Sequence, residues 1–129
     1  YFSEIGARPP GCNFWDLYCA ANDLDLYTEW ARAVVWGDTW SGPTRRFAGG
    51  LVAVRPDRDG VVQGYAGADV IERKYGAHIV RSWLPPVGSR THREAGFLAN
   101  AWYYIKHPDY DAARGILDDI GRTVRMFAR

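Results

Sequence analysis

Cysteine is scarce in this 129-residue chain, with only Cys12 and Cys19, six residues between them. A disulfide-framed secreted domain needs more, and a zinc site needs further ligands at tighter spacing. Both thiols are read as reduced and partly buried, and a cytoplasmic protein is expected. Methionine occurs once, at Met126, and the chain opens on YFSEIGARPPG. That opening reads as the middle of an apolar strand, so the chain is expected to begin inside a larger fold. No apolar run approaches the ~20 residues that cross a bilayer, and no signal peptide is visible. With a net charge of +1 and no basic block, nothing calls for nucleic acid or a membrane surface. Internal repeats and low-complexity segments are lacking. So is any convincing Ser-His-Asp or Cys-His set. Gly49-Gly50 has no Lys-Ser/Thr or helix after it, which excludes a phosphate-binding P-loop. It is read as a bulge or a close packing contact.

Aromatic residues, by contrast, are plentiful: six Trp and eight Tyr, suited to a packed interior with some wet edges. The length suffices for one modest domain with a real core. Phe2–Ala7 reads as a short strand ended by Pro9-Pro10-Gly11. Helical spacing follows over Asn13–Ala21 and again over Asp25–Trp36. There Leu26, Trp30, Ala33 and Val34 share a stripe, and Gly37 fits the C-terminal end. FAGGLVAVRP, apolar on both faces, reads as an inner strand. The Pro56–Gly60 turn leads to a short strand at VVQGY, then a small helix over Ala66–Tyr75. HIVRSWL and GFLANAWYYIK read as strands, with Trp102-Tyr103-Tyr104 alternating between core and surface. Asp109 should cap a last helix with Ala112, Ile116, Ile120, Val124 and Phe127 buried. The expected class is α+β: a mainly antiparallel sheet, strands joined by hairpins, helices on one face. A soft boundary near residues 37–44 divides the chain into 1–42 and 43–129.

In a strand, Glu4, Gly6 and Arg8 share one face while Ile5 and Ala7 point to the core. The Glu4 and Arg8 Cα atoms would lie roughly 13 Å apart, which disfavours a direct ion pair. A carboxylate, a gap and a guanidinium in line suit a metal ion bound to an elongated anion. Magnesium takes carboxylate and phosphate oxygens, and arginine forks onto phosphate or carboxylate. Spacing alone favours a solvated strand face with two unrelated charges.

SEIGARPPG resembles the last active-site strand of the ATP-grasp superfamily, which commonly carries E-x-N-x-R there. DLDLYTEWARAVVWG resembles the helix after that strand in its carboxylate–amine ligases. The order from FAGGLVAVRP to the last helix is similar to their C-terminal lid region. The resemblance implies that 1–42 ends the catalytic core and that 43–129 forms the C-terminal lid subdomain. It implies an ATP-dependent ligase with ATP and Mg2+ as cofactors. A small carboxylate, such as an amino acid, would be activated as an acylphosphate for attack by an amine. Glu4 matches the magnesium-binding, nucleotide-side glutamate, and Arg8 the catalytic arginine that contacts phosphate or bound carboxylate. The family's Asn falls on Gly6, a departure from the pattern. The ATP-binding lysines are expected upstream, so the chain alone is expected to be inactive.

Two other readings stay open: a non-catalytic α+β module for dimerisation or small-ligand binding, and a biotin-dependent carboxylase of the same superfamily. A homodimer is also left open. Arg90, His92 and Arg93 lie in a polar loop that a ligase lid could bring to the substrate, or that water could simply solvate. His78 and His107 are read as structural.

Overall fold

The computed structural model describes residues 11, 13–94 and 100–129. Glu4, Gly6, Arg8, Cys12 and the expected strand Phe2–Ala7 lie outside these described residues. The elements run α1 (Phe14–Asn22), α2 (Leu26–Trp36), β1 (Ala48–Val54), β2 (Gly60–Ala66), α3 (Ala68–Tyr75), a 3-10 turn (Gly76–His78) and β3 (Ile79–Trp83). They continue with β4 (Arg90–Thr91), β5 (Ala101–His107), α4 (Tyr110–Thr123) and β6 (Arg125–Ala128). Their limits follow local chemistry. Asp25 caps α2 by accepting from the Thr28 N–H at 3.1 Å, and Gly37 closes it with φ 68°. Asp109 caps α4 by accepting from the Ala112 N–H at 2.7 Å. No described helix is long and apolar enough to cross a membrane.

Among the described residues, two antiparallel three-stranded sheets form, ordered β1-β5-β3 and β4-β2-β6. The α+β class with mainly antiparallel strands holds, and three details of the β1-β5-β3 sheet and its connections differ from expectation. First, the helices cover both faces of the β1-β5-β3 sheet. Ala101, Tyr103 and Ile105 of β5 pack with Ile116 and Ile120 of α4, while Trp102 and Tyr104 pack with Leu17 of α1. All three residues of Trp102-Tyr103-Tyr104 are therefore core, because each face of the strand meets a helix. Second, β5 is the inner strand, and β1 pairs with it from Ala48↔His107 to Val54↔Ala101. Third, the Pro56–Gly60 turn makes no hairpin: it carries the chain from one sheet to the other.

Gly49-Gly50 is the close packing contact. A side chain on Gly49 would lie 3.1 Å from Ala21 Cβ of α1, and one on Gly50 would strike Leu117 of α4. Neighbouring residues of a strand face opposite ways, so the pair lets both helices approach. At the end of the chain the expected helix stops at Thr123, and 125–128 is strand β6 on β2. Phe127 is consequently exposed. The α2 stripe forms as a helix, yet Trp30, Ala33 and Val34 are exposed, and Glu29 is the one buried residue of α2.

Candidate functional site

Among the concave surfaces of the described residues, one gathers three arginines. A cavity of about 590 Å³ is lined by Arg55, Arg58, Asp59, Arg93 and Glu94. Arg55, Arg58 and Asp59 come from the stretch where the chain leaves β1 for β2. Arg93 and Glu94 follow β4.

The floor is built before any ligand arrives. Gly60 begins β2 at φ 150°, where a Cβ would meet the Arg129 carbonyl oxygen at 2.5 Å, so only glycine fits. Asp57 ties the turn to β6: its Oδ1 accepts from the Ala128 N–H at 3.0 Å. Asp59 ties it to the loop after β4. Its Oδ1 accepts from the Arg93 N–H at 2.7 Å, and its Oδ2 lies 3.7 Å from His92 Nδ1. The Arg55 guanidinium donates to the Arg93 carbonyl. At the foot of that loop, the Thr91 hydroxyl donates to Asn100 Oδ1 at 2.7 Å, and Asn100 Nδ2 donates to the His92 carbonyl at 3.2 Å. Thr91 is 1% exposed and Asn100 0%. A buried polar pair of this kind has one satisfied geometry, so both ends of the loop are fixed.

The carboxylates are already engaged. The Arg93 N–H, with His92 beside it, holds the Asp59 carboxyl below the usual carboxylate range. The Ala128 N–H, with Arg58 nearby, does the same for Asp57. Asp57 also holds Arg58, its Oδ2 accepting from the Arg58 Nε–H at 3.3 Å, and the cavity lining still counts three arginines against Asp59 and Glu94. Three arginines around one concavity can therefore accept an outside anion, and a guanidinium matches carboxylate or phosphate with two parallel hydrogen bonds.

Of the residues expected to act, Glu4 and Arg8 lie outside the described residues. Arg93 and His92 join the cavity or its wall. Arg90 sits on β4 opposite Val61 with its side chain exposed. Arg55, Arg58 and Asp59 were missed, because RPDRDG read only as a turn. The signal was there: alternating Arg and Asp directly after an apolar strand. Two other concavities differ in character. A cleft of about 380 Å³ beside α1, lined by Phe14, Leu17, Tyr18 and Phe47 among others, is largely apolar. A groove between α3 and α4 holds the Lys74–Asp119 pair, Asp118, Arg122 and the rings of His78 and His107, which lie 4.6 Å apart and tilted by 49°. Cys19 is a free thiol whose Sγ accepts from the Leu26 N–H. Among the described residues, no three His, Cys, Asp or Glu side chains group so as to hold a metal ion.

No family model matches the chain, and no curated protein resembles it in sequence. Solved structures do share its fold. The L-amino acid ligase from Bacillus licheniformis superposes with a TM-score of 0.71 over 96% of this chain, at 12% identity, covering 31% of the ligase. Phosphoribosylglycinamide synthetase from Anaerococcus prevotii superposes with a TM-score of 0.60 over 91%, again at 12% identity, covering 30% of that enzyme. The chain thus spans under a third of the length of either protein, and both are ATP-grasp enzymes.

Proposed function

We propose that this ATP-grasp fragment serves an ATP-dependent ligase that joins a small carboxylate, such as an amino acid, to an amine. The supporting observation is the likeness in shape to an L-amino acid ligase over 96% of the chain. In the reaction, a carboxylate oxygen of the substrate attacks the γ-phosphorus of ATP, and ADP leaves. The amine nitrogen then attacks the carbonyl carbon of the acylphosphate, inorganic phosphate departs with the C–O electron pair, and the nitrogen loses a proton. Protein groups contribute mainly position and counter-charge to such steps.

In this reading Glu4 is a magnesium ligand and Arg8 forks onto the transferred phosphoryl group or the substrate carboxylate. Magnesium, when bound, offsets charge on the phosphate oxygens. The described residues add no carboxylate set of their own for it, so Glu4 and groups elsewhere in the whole protein would hold it. The cavity of Arg55, Arg58 and Arg93 would hold the anionic end of one of the two substrates.

The test uses the full-length protein, with amino acids offered singly and in pairs and ADP release measured. Glu4→Gln should cut turnover on the order of a hundredfold or more, as for other electrostatic contributors to a transition state. Arg93→Ala should raise KM for one substrate more than it lowers kcat, because the residue binds away from the reacting atoms. Full turnover in Glu4→Gln at saturating magnesium would refute the metal role, and absence of carboxylate-dependent ADP release would refute the ligase.

A further inference from the structure

Both signs of charge line the cavity of Arg55, Arg58, Asp59, Arg93 and Glu94, and they are unevenly engaged. Asp59 belongs to the wall. Its Oδ1 accepts from the Arg93 N–H at 2.7 Å, and its Oδ2 faces His92 Nδ1 at 3.7 Å. Glu94 is exposed in the same space and makes no ion pair with any of the three guanidiniums among the described residues.

The arginines differ in the same way. Arg58 donates through Nε to Asp57 at 3.3 Å, and one end of the Arg55 fork donates to the Arg93 carbonyl. The bonds of Arg93 run through its backbone N–H and C=O. Its guanidinium makes no hydrogen bond or ion pair among the described residues. A guanidinium is a fork of several N–H donors, so Arg55 and Arg58 keep most of theirs and Arg93 keeps all.

Unused cationic donors and one unpaired carboxylate in a single concavity select a ligand of both signs. A phosphate would be gripped by the arginines and repelled by Glu94. An amine without a carboxylate would leave the guanidiniums unanswered. A carboxylate with an ammonium beside it meets both demands, and an α-amino acid carries the two on one carbon. The volume of about 590 Å³ leaves room for its side chain. Little has to be ordered on binding, because the buried Thr91–Asn100 pair already fixes the foot of the loop that carries Arg93 and Glu94.

We propose that this cavity takes a free α-amino acid as its zwitterion, the carboxylate on Arg55, Arg58 and Arg93 and the ammonium on Glu94. One further step rests on the ligase reading. The carboxylate that becomes an acylphosphate is consumed, so the amino acid held here by its carboxylate is the one that supplies the amine.

Calorimetry on the full-length protein, with magnesium and a non-hydrolysable ATP analogue present, offers the common amino acids one at a time. At least one should bind. Its N-acetyl derivative lacks the cation and its carboxamide lacks the anion, and each should bind at least about tenfold more weakly. Glu94→Gln and Arg93→Ala should each weaken the amino acid by a similar factor and leave the melting temperature unchanged. Both side chains are exposed, and the backbone bonds of Arg93 survive the substitution. In turnover, both variants should raise KM for the same substrate, the amine donor. Amino-acid binding that ignores both substitutions would overturn the proposal. So would an N-acetyl derivative that binds as well as the free amino acid and is equally lost in Arg93→Ala. Inorganic phosphate that binds the unaltered protein and is lost in Arg93→Ala would overturn it too, leaving a plain anion site. Carboxylate-dependent ADP release that ignores both substitutions would remove this site and keep the ligase. Absence of that release, with the binding pattern intact, would remove the ligase and keep the site.

Discussion

Replacing Asn100 with Ala removes the clamp at the foot of the Arg93 loop, and the cost follows from burial. Asn100 is 0% exposed and Thr91 1%, so bulk water does not reach the lost bonds. The Thr91 hydroxyl loses its acceptor and the His92 carbonyl a donor. A buried polar group left unsatisfied costs about 1–3 kcal/mol. With the space vacated by the amide, the expected loss is about 2–4 kcal/mol. For a domain of this length, each kcal/mol lowers Tm by roughly 4 °C, which makes a fall on the order of 10 °C. Circular dichroism melting measures this, and hydrogen exchange at the Arg93 amide localises it. That amide donates to Asp59 and should exchange faster once the foot of the loop is loose. Thr91→Ser, which keeps the hydroxyl, should cost far less. A melting temperature within about 2 °C of the original, or an Arg93 amide equally protected, would refute the idea that this pair holds the cavity.

Gly67 sits at φ 76° before α3, and a Cβ there would collide with the Thr123 carbonyl; Gly67→Ala should cost about 2 kcal/mol or more in chemical denaturation. Asp119 joins α3 to α4 by accepting from Lys74 and Tyr75, each at 2.7 Å, and these bonds hold its carboxyl down at about 2. The folded value is depressed, so the stabilisation is fully present above the ordinary carboxylate pKa and lost as pH falls through about 2. Acid titration of unfolding should show that arm flattened in Asp119→Asn, and an unchanged arm would contradict it. Arg8→Lys in the whole protein should weaken catalysis by about 1–3 kcal/mol while Tm hardly moves. A lowered Tm with normal turnover would make Arg8 a structural residue instead.

The sequence by itself determined the local elements. Asp25 and Gly37 bracket α2, and Asp109 opens α4, because caps answer backbone groups only a few residues away. The Gly49-Gly50 contact was legible for a similar reason: two adjacent residues without side chains in an apolar strand leave room on both faces. The α+β class followed from the change of period after residue 45. What lies across the chain did not follow. The apolar residues of β5 say that it is buried, yet only the packing of α1 and α4 shows that helices lie on both its faces. The final residues continued a helical stripe in sequence, and pairing with β2 made them a strand. The charged cavity belongs to the same class of fact. Asp59 meets Arg93 across 34 positions, and Thr91 meets Asn100 in the core. The first meeting depends on β4 pairing with β2 and the second on β4 coming to the start of β5, and a short motif records only its own neighbours. On α2 the helix was legible and the exposure of Trp30, Ala33 and Val34 was not, because helical spacing marks a face and says nothing about what lies against it.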